Sequence, residues 1–273
     1  MRKLAVLATA LCLCAIASAD FNTGFESPIY NGSPGGTLLA GQQAWYNPVA
    51  GSAEYKVYTY AGNTYGIAQN PYGADQFVGG RMEGNLAFGR AQHDYAWDSA
   101  DVWRVTYDIA AVYTGTLPAI NNVGSFSLQP SGTARYFQSI FQWVDPANPV
   151  AWNAGYYSLE YPTSGSPYLP GPAWQNLLPN HWYRQSTLFR MSDQQILQVS
   201  IQDLVTGDAS VVDNPGLHFI NPAGGIPTAF RFFTGGGAGS SPAGNFLAWD
   251  NLTIPEPASV LLVALGALLL RRR

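Results

Sequence analysis

From Trp103 to Tyr113 the chain reads WRVTYDIAAVY, with Trp103, Val105, Tyr107, Ile109, Ala111 and Tyr113 at alternate positions. A period of two places those side chains on one face of an extended strand, the pattern of a sheet with one buried side. The pattern recurs. Leu197, Val199 and Ile201 alternate with Gln198, Ser200 and Gln202; Phe137, Phe141 and Trp143 share one face of YFQSIFQW; Phe230 and Phe232 flank Arg231. Turn formers separate these runs: Asn-Gly at 31–32, Pro-Ala-Asn-Pro at 146–149, Thr-Gly at 206–207 and Asn-Pro-Gly at 214–216. No amphipathic helix and no repeat of solenoid or propeller length interrupts them. Strands of this kind bury their apolar faces sheet against sheet, so the expected fold class is all-β, a jelly-roll β-sandwich.

The two ends read as addresses. Met1–Ala19 has a basic start at Arg2 and Lys3, an apolar run from Leu4 to Ile16, and the small residues Ala17 and Ala19 around Ser18. That order is expected of a secretory signal peptide (residues 1–19) cleaved after Ala19. Cys12 and Cys14 both lie inside it, so the exported chain carries no cysteine and is held without disulfides. At the other end Pro255-Glu256-Pro257 precede ASVLLVALGALLL and then Arg271-Arg272-Arg273. The thirteen apolar residues fall short of the roughly 20 that a resident membrane helix needs. The arginines would stay on the cytoplasmic side and leave the prolines outside. The β-sandwich is expected over residues 20–254.

The chain is 47% hydrophobic and only 11% charged, against about 25% charged in ordinary soluble domains. Between the two ends there are eight basic residues (Lys56, Arg81, Arg90, Arg104, Arg135, Arg184, Arg190 and Arg231) against sixteen acidic ones. No run of Lys and Arg offers a surface to phosphates, so nucleic acid is not an expected partner. Low charge with abundant Tyr, Asn, Gln and Ser suits a neutral, hydroxyl-rich partner such as a polysaccharide. Trp152, Trp174 and Trp182 sit in or beside turn-like stretches near Asn153, Gln175 and Asn176. Their rings are candidate platforms for stacking on sugars; Trp103, Trp143 and Trp249, inside strand patterns, are expected in the core. His93, His181 and His218 are far apart and form no metal motif.

The order Pro-Glu-Pro, short apolar helix, arginine cluster resembles the PEP-CTERM sorting signal (residues 255–273). The resemblance implies that an exosortase, a membrane-embedded cysteine transpeptidase, recognises Pro255-Glu256-Pro257 and removes the tail. The chain would then contact the inner membrane transiently and reach the cell envelope, cell surface or extracellular matrix. GFESPIYNGSPGGTLLAGQQAWY (24–46), HWYRQSTLFRMSDQQILQVSIQDLVTG (181–207) and FLAWDNLTI (246–254) resemble the first, central and last strands of concanavalin A-like lectin/glucanase jelly rolls. A galactose-binding-like jelly roll also opens on Gly-Phe-Glu and closes on Asp-Asn, and is the alternative.

The glucanase branch of the first family uses Glu-x-Asp-x-x-Glu on one strand. None of Glu26, Glu54, Glu83 and Glu160 starts that motif, and Asp94, Asp98, Asp101 and Asp108 lack its spacing and lie among turn residues. The sequence therefore leads to the expectation of a non-catalytic, carbohydrate-binding or structural surface protein. A hydrolase with a non-standard carboxylate pair is the alternative. The galactose-binding-like resemblance implies one candidate cofactor, a structural calcium ion held by Glu26 and Asp250, which the jelly-roll topology would bring together.

Overall fold

The computed structural model describes residues 21–81, 88–97, 102–115, 121–129, 135–220, 226–235 and 244–254. Ala17, Ala19 and the whole segment from Pro255 to Arg273 lie outside them, as does most of the Gly-rich stretch after Thr234. Among the described residues the chain forms strands and one 3-10 turn (Pro172–Trp174), and no helix is long and apolar enough to cross a membrane.

Among the described residues fourteen strands build a jelly-roll β-sandwich. In chain order they are β1 (Phe21–Thr23), β2 (Thr37–Leu38), β3 (Ala53–Thr59), β4 (Gln76–Arg81), β5 (Gly89–Asp94), β6 (Val102–Tyr113) and β7 (Asn122–Gln129). After them come β8 (Phe137–Trp143), β9 (Trp152–Tyr157), β10 (Tyr183–Arg190), β11 (Gln195–Asp203), β12 (Ala209–His218), β13 (Ala229–Thr234) and β14 (Asn245–Ile254). The first sheet runs β12-β11-β10-β6-β14-β4-β3, with β2 on β3 and β1 on β14. The second runs β3-β5-β13-β7-β8-β9. β3 belongs to both: it is antiparallel to β4 and, through Ala53 and Glu54, parallel to β5 at Gly89 and Arg90. The last strand returns beside the first, Phe21 opposite Ile254.

The strand faces follow the alternation read from the sequence. Trp103, Val105, Tyr107, Ile109 and Ala111 of β6 are buried in the main core, as are Phe137, Phe141 and Trp143 of β8 and Phe230 and Phe232 of β13. One strand departs from it. In β11 the register shifts between Ile196 and Gln198, so Ile196 joins Val199 and Ile201 in the core and Leu197 is only half-buried. A bulge adds one residue and turns every side chain before it to the other face.

Aromatic rings fill the space between the sheets, where large rings bury much area at little conformational cost. Trp249 of β14 stacks on Phe232 of β13. Tyr107 lies against Phe126 at 4.9 Å. A polar thread crosses the same core: Tyr107 donates to Gln185 Oε1 at 2.7 Å and shares a 2.6 Å hydrogen bond with Ser139, and Gln185 Nε2 donates to Tyr156 at 2.7 Å. Burial pushes both phenols up, Tyr156 to about 12. A smaller apolar layer covers the opposite face of the first sheet, where Tyr60 and Ile67, from the segment after β3, close over Phe77, Ala110, Phe246 and Ala248.

Candidate functional site

Three tryptophans expected to meet sugars do not reach the surface. Trp152, Trp174 and Trp182 are 0%, 0% and 1% exposed. Trp152 packs edge-on against Phe141 and Tyr183, and Trp182 packs under the segment after β3, its indole N–H donating to Ala68 O at 2.7 Å. Flanking turn residues in the sequence concealed rings that point inward, so no ring face is left for a ligand. Trp103, Trp143 and Trp249 are buried as expected.

Glu26 and Asp250 do approach one another: both come near Gly24, the residue that begins the Gly-Phe-Glu motif. Each is already engaged. Glu26 accepts the backbone N–H groups of Asp75 (3.1 Å) and Gln76 (3.3 Å). Asp250 accepts the Tyr60 hydroxyl at 2.9 Å, Asn70 Nδ2 at 3.1 Å and the Asn251 N–H at 2.8 Å. Among the described residues there is no group of three or more His, Cys, Asp or Glu side chains that could hold a metal ion. Asp108 is no turn residue but the middle of β6, wholly buried, and it takes a two-pronged contact from Arg184 at 2.7 and 2.9 Å. Burial, with the neighbouring Asp108 charge acting in the same direction, raises Asp250 to about 7.

Polar and cationic groups, most of them buried, gather on the outward face of the second sheet. Alternation makes this face polar: where Ala91, Phe230, Phe232 and Phe126 point to the core, Arg90, Gln92, Arg231, Ser125 and Ser127 point away. The register lines them up. Across the strands, Gln92 lies opposite Arg231, Arg231 opposite Ser127, Ser127 opposite Gln138, and Gln138 opposite Tyr157. The next row is Arg90, Phe233, Ser125 and Ile140.

The groups in these rows hold one another. Arg231 donates through Nε (2.9 Å) and Nη2 (2.6 Å) to Gln92 Oε1. Gln92 Nε2 donates to the Tyr46 hydroxyl at 2.6 Å, which in turn donates to Asp94 Oδ1 at 2.7 Å. Arg90 lies over the rings of Phe88 and Phe233, 5.2 and 5.4 Å from their centres, and donates to Ser52. Arg135 Nη1 donates to Gln138 Oε1 at 3.0 Å. Burial is the main cause that lowers Arg231 to about 10, with the like charges of Arg90 and Arg135 acting in the same direction.

Two cavities flank this chain of contacts. One, about 280 Å³, is lined by Arg90, Arg135, Arg231, Ser125, Ser127 and Gln138 among others. The other, about 810 Å³, lies at the Tyr46–Asp94 end, with walls from Tyr95, Trp97, Ile226 and Pro227. The sequence reading missed this face, because its cations come from β5, from β13 and from the approach to β8. The available signal was Arg231 between Phe230 and Phe232, a cation forced outward by two core rings.

No family model matches the chain, and no curated protein does. Solved structures of similar shape exist. A carbohydrate esterase, vb_24B_21 from the Shiga toxin-encoding bacteriophage phi24B, is 14% identical, with 78% of this chain and 89% of that one covered and a TM-score of 0.48. Alginate lyase Aly36B is 12% identical (88% and 98% covered, TM-score 0.47), and lectin UEA-II, complexed with galactose, is 10% identical (88% and 100% covered, TM-score 0.43). These are likenesses of fold. They correct one expectation: structures of this shape include a carbohydrate esterase and alginate lyases beside lectins. Lack of the glucanase carboxylate motif is therefore no ground for calling the chain non-catalytic.

Proposed function

We propose that this protein recognises a polysaccharide along the outward face of its second sheet. The observation that carries the reading is the unbroken chain Arg231–Gln92–Tyr46–Asp94 between two cavities. A glycan needs many hydrogen-bonding partners of both kinds, fixed before it arrives, together with apolar walls for its C–H faces. Side chains locked by one another meet that need, since little rotamer freedom is then lost on binding. The carbohydrate-acting and carbohydrate-binding proteins of similar shape agree with this reading.

Delivery completes the proposal. The Met1–Ala19 signal exports the chain, and an exosortase-type enzyme acts at Pro255-Glu256-Pro257, so that the sandwich works in the envelope or matrix.

A glycan array probed with the full chain tests the recognition, with release of reducing ends and of unsaturated or deacylated products followed on every ligand found. Binding that disappears in Gln92→Ala supports the groove. Failure to bind any glycan overturns it.

A further inference from the structure

Resting on that reading, we infer that the groove selects an acidic sugar, one that carries a carboxylate or sulfate, and that the 280 Å³ cavity between Arg90, Arg135 and Arg231 receives the anionic group.

Charge placement is the first argument. Between the two ends this chain has eight cations against sixteen anions, yet three of the eight line one cavity. No carboxylate is among the described residues that line it. The nearest acidic side chain by register, Glu54 opposite Arg90, accepts a hydrogen bond from Asn47 Nδ2 at 3.3 Å. Like charges brought together repel, and Arg231 is only 8% exposed, so water screens the repulsion poorly. An anion seated among the three guanidinium groups would relieve that cost, and guanidinium groups suit oxyanions because their N–H donors match two oxygens at once.

The second argument identifies the anion as part of a sugar. Gln129, wholly buried at the same cavity, donates through Nε2 to Ser127 Oγ at 2.6 Å, and its Oε1 has no hydrogen-bond partner. A buried acceptor without a donor costs free energy. A bare anion offers no donor to it, whereas a sugar ring carries hydroxyls beside its acidic group. Ser125 and Ser127, on the same wall, accept or donate as the ring requires. An acidic sugar thus fits the cations and the orphaned acceptor together.

Titration of the full chain with four probes tests this: an oligogalacturonate, its methyl ester, a sulfated oligosaccharide and a neutral dextran oligosaccharide. We expect the free acid to bind at least 10-fold more tightly than its ester, and added salt to weaken that binding. Arg135→Gln, at an exposed position, should cost roughly 10-fold, in line with one charge-assisted hydrogen bond; Arg231→Gln should cost more, and its thermal unfolding is recorded to separate binding from folding. Binding of the sulfated probe and not the uronate keeps the acidic class and assigns it to sulfate. Ester or dextran bound as tightly as the free acid overturns the inference but leaves glycan recognition standing. Arg135→Gln without effect on any acidic ligand also overturns it. Binding of no probe at all, with a blank glycan array, overturns both.

Discussion

Trp249 and Phe232 stack face to face across the sandwich, ring centres 4.5 Å apart and planes within 14°. They come from different sheets, β14 and β13, so their contact reports how the sheets sit on each other. Trp249→Ala should destabilise the fold by about 3–5 kcal/mol, the usual cost of emptying a large ring from a core. Denaturant unfolding followed by far-UV circular dichroism measures it. A loss under about 1 kcal/mol would mean that the sheets do not depend on this contact.

Tyr107→Phe probes the polar thread. The substitution removes one hydroxyl and leaves Gln185 Oε1 and Ser139 Oγ each short of a partner in a buried core. The expected cost is about 1–3 kcal/mol. The double change with Gln185→Leu is expected to cost less than the sum of the two single ones, because it removes a stranded acceptor. A strictly additive result in a double-mutant cycle would show that the groups act separately.

Asp250 gives a pH dependence. Its pKa is raised to about 7 by burial first, from an ordinary value of 3.8. A raised folded-state pKa means that the native state holds the proton more tightly than the unfolded chain does. Its contribution to stability is therefore fully present below about pH 3.8 and is lost as pH rises through 7. Asp193, Asp203 and Glu160 have lowered pKa values and act in the opposite direction at acid pH. Comparison with Asp250→Asn isolates the one group: the variant should gain on the parent chain between pH 5 and 8, a range that brackets the pKa of about 7. Melting curves in that range that stay parallel would refute the assignment.

Trp182→Ala separates core from ligand contact. The segment after β3 is held down by the indole N–H on Ala68 O and by packing on Tyr60 and Phe77. Loss of stability by about 3 kcal/mol or more, with glycan affinity unchanged, is the expected result. A selective loss of affinity would return the ring to the binding surface.

Replacement of Pro255, Glu256 and Pro257 by alanine should leave the exported chain with its tail attached. Intact mass of the cell-associated protein decides between the two forms. Normal trimming of the variant would rule out recognition of the tripeptide.

How far the sequence led depended on which interactions are local. Alternation placed Trp103, Val105, Phe230 and Phe232 in the core, because a strand's two faces are written in its own residues. The return of Phe246–Ile254 beside the first strand was also legible, through its resemblance to known jelly rolls. The bulge that exchanges Leu197 for Ile196 was not, since it is set by pairing with β12. Nor was the meeting of Arg90, Arg135 and Arg231, which depends on the register between β5, β13, β7 and β8. Asp108 shows the same limit: it falls inside the alternating run Trp103–Tyr113, but its partner Arg184 lies on the adjacent strand β10, and only the register sets the two opposite each other.

β3, shared by both sheets, acts as the spine of a book. Along that margin the two covers are sewn together by backbone hydrogen bonds, through Val57–Val78 on one side and Glu54–Arg90 on the other. Among the described residues the far margin is held by a clasp: Glu160, just past β9, grips His218 of β12 through its N–H (2.9 Å) and its ring (2.7 Å), beside a 3.3 Å bond from Leu159 N–H to His218 O and a 2.7 Å bond from Ile220 N–H to Tyr136 O. A half-exposed pair of this kind is weak. Breathing of the sandwich should therefore start at the clasp, with the fastest amide exchange in β9 and β12. The arginines of β5 and β13 ride next to the spine and would keep their spacing while the far pages part.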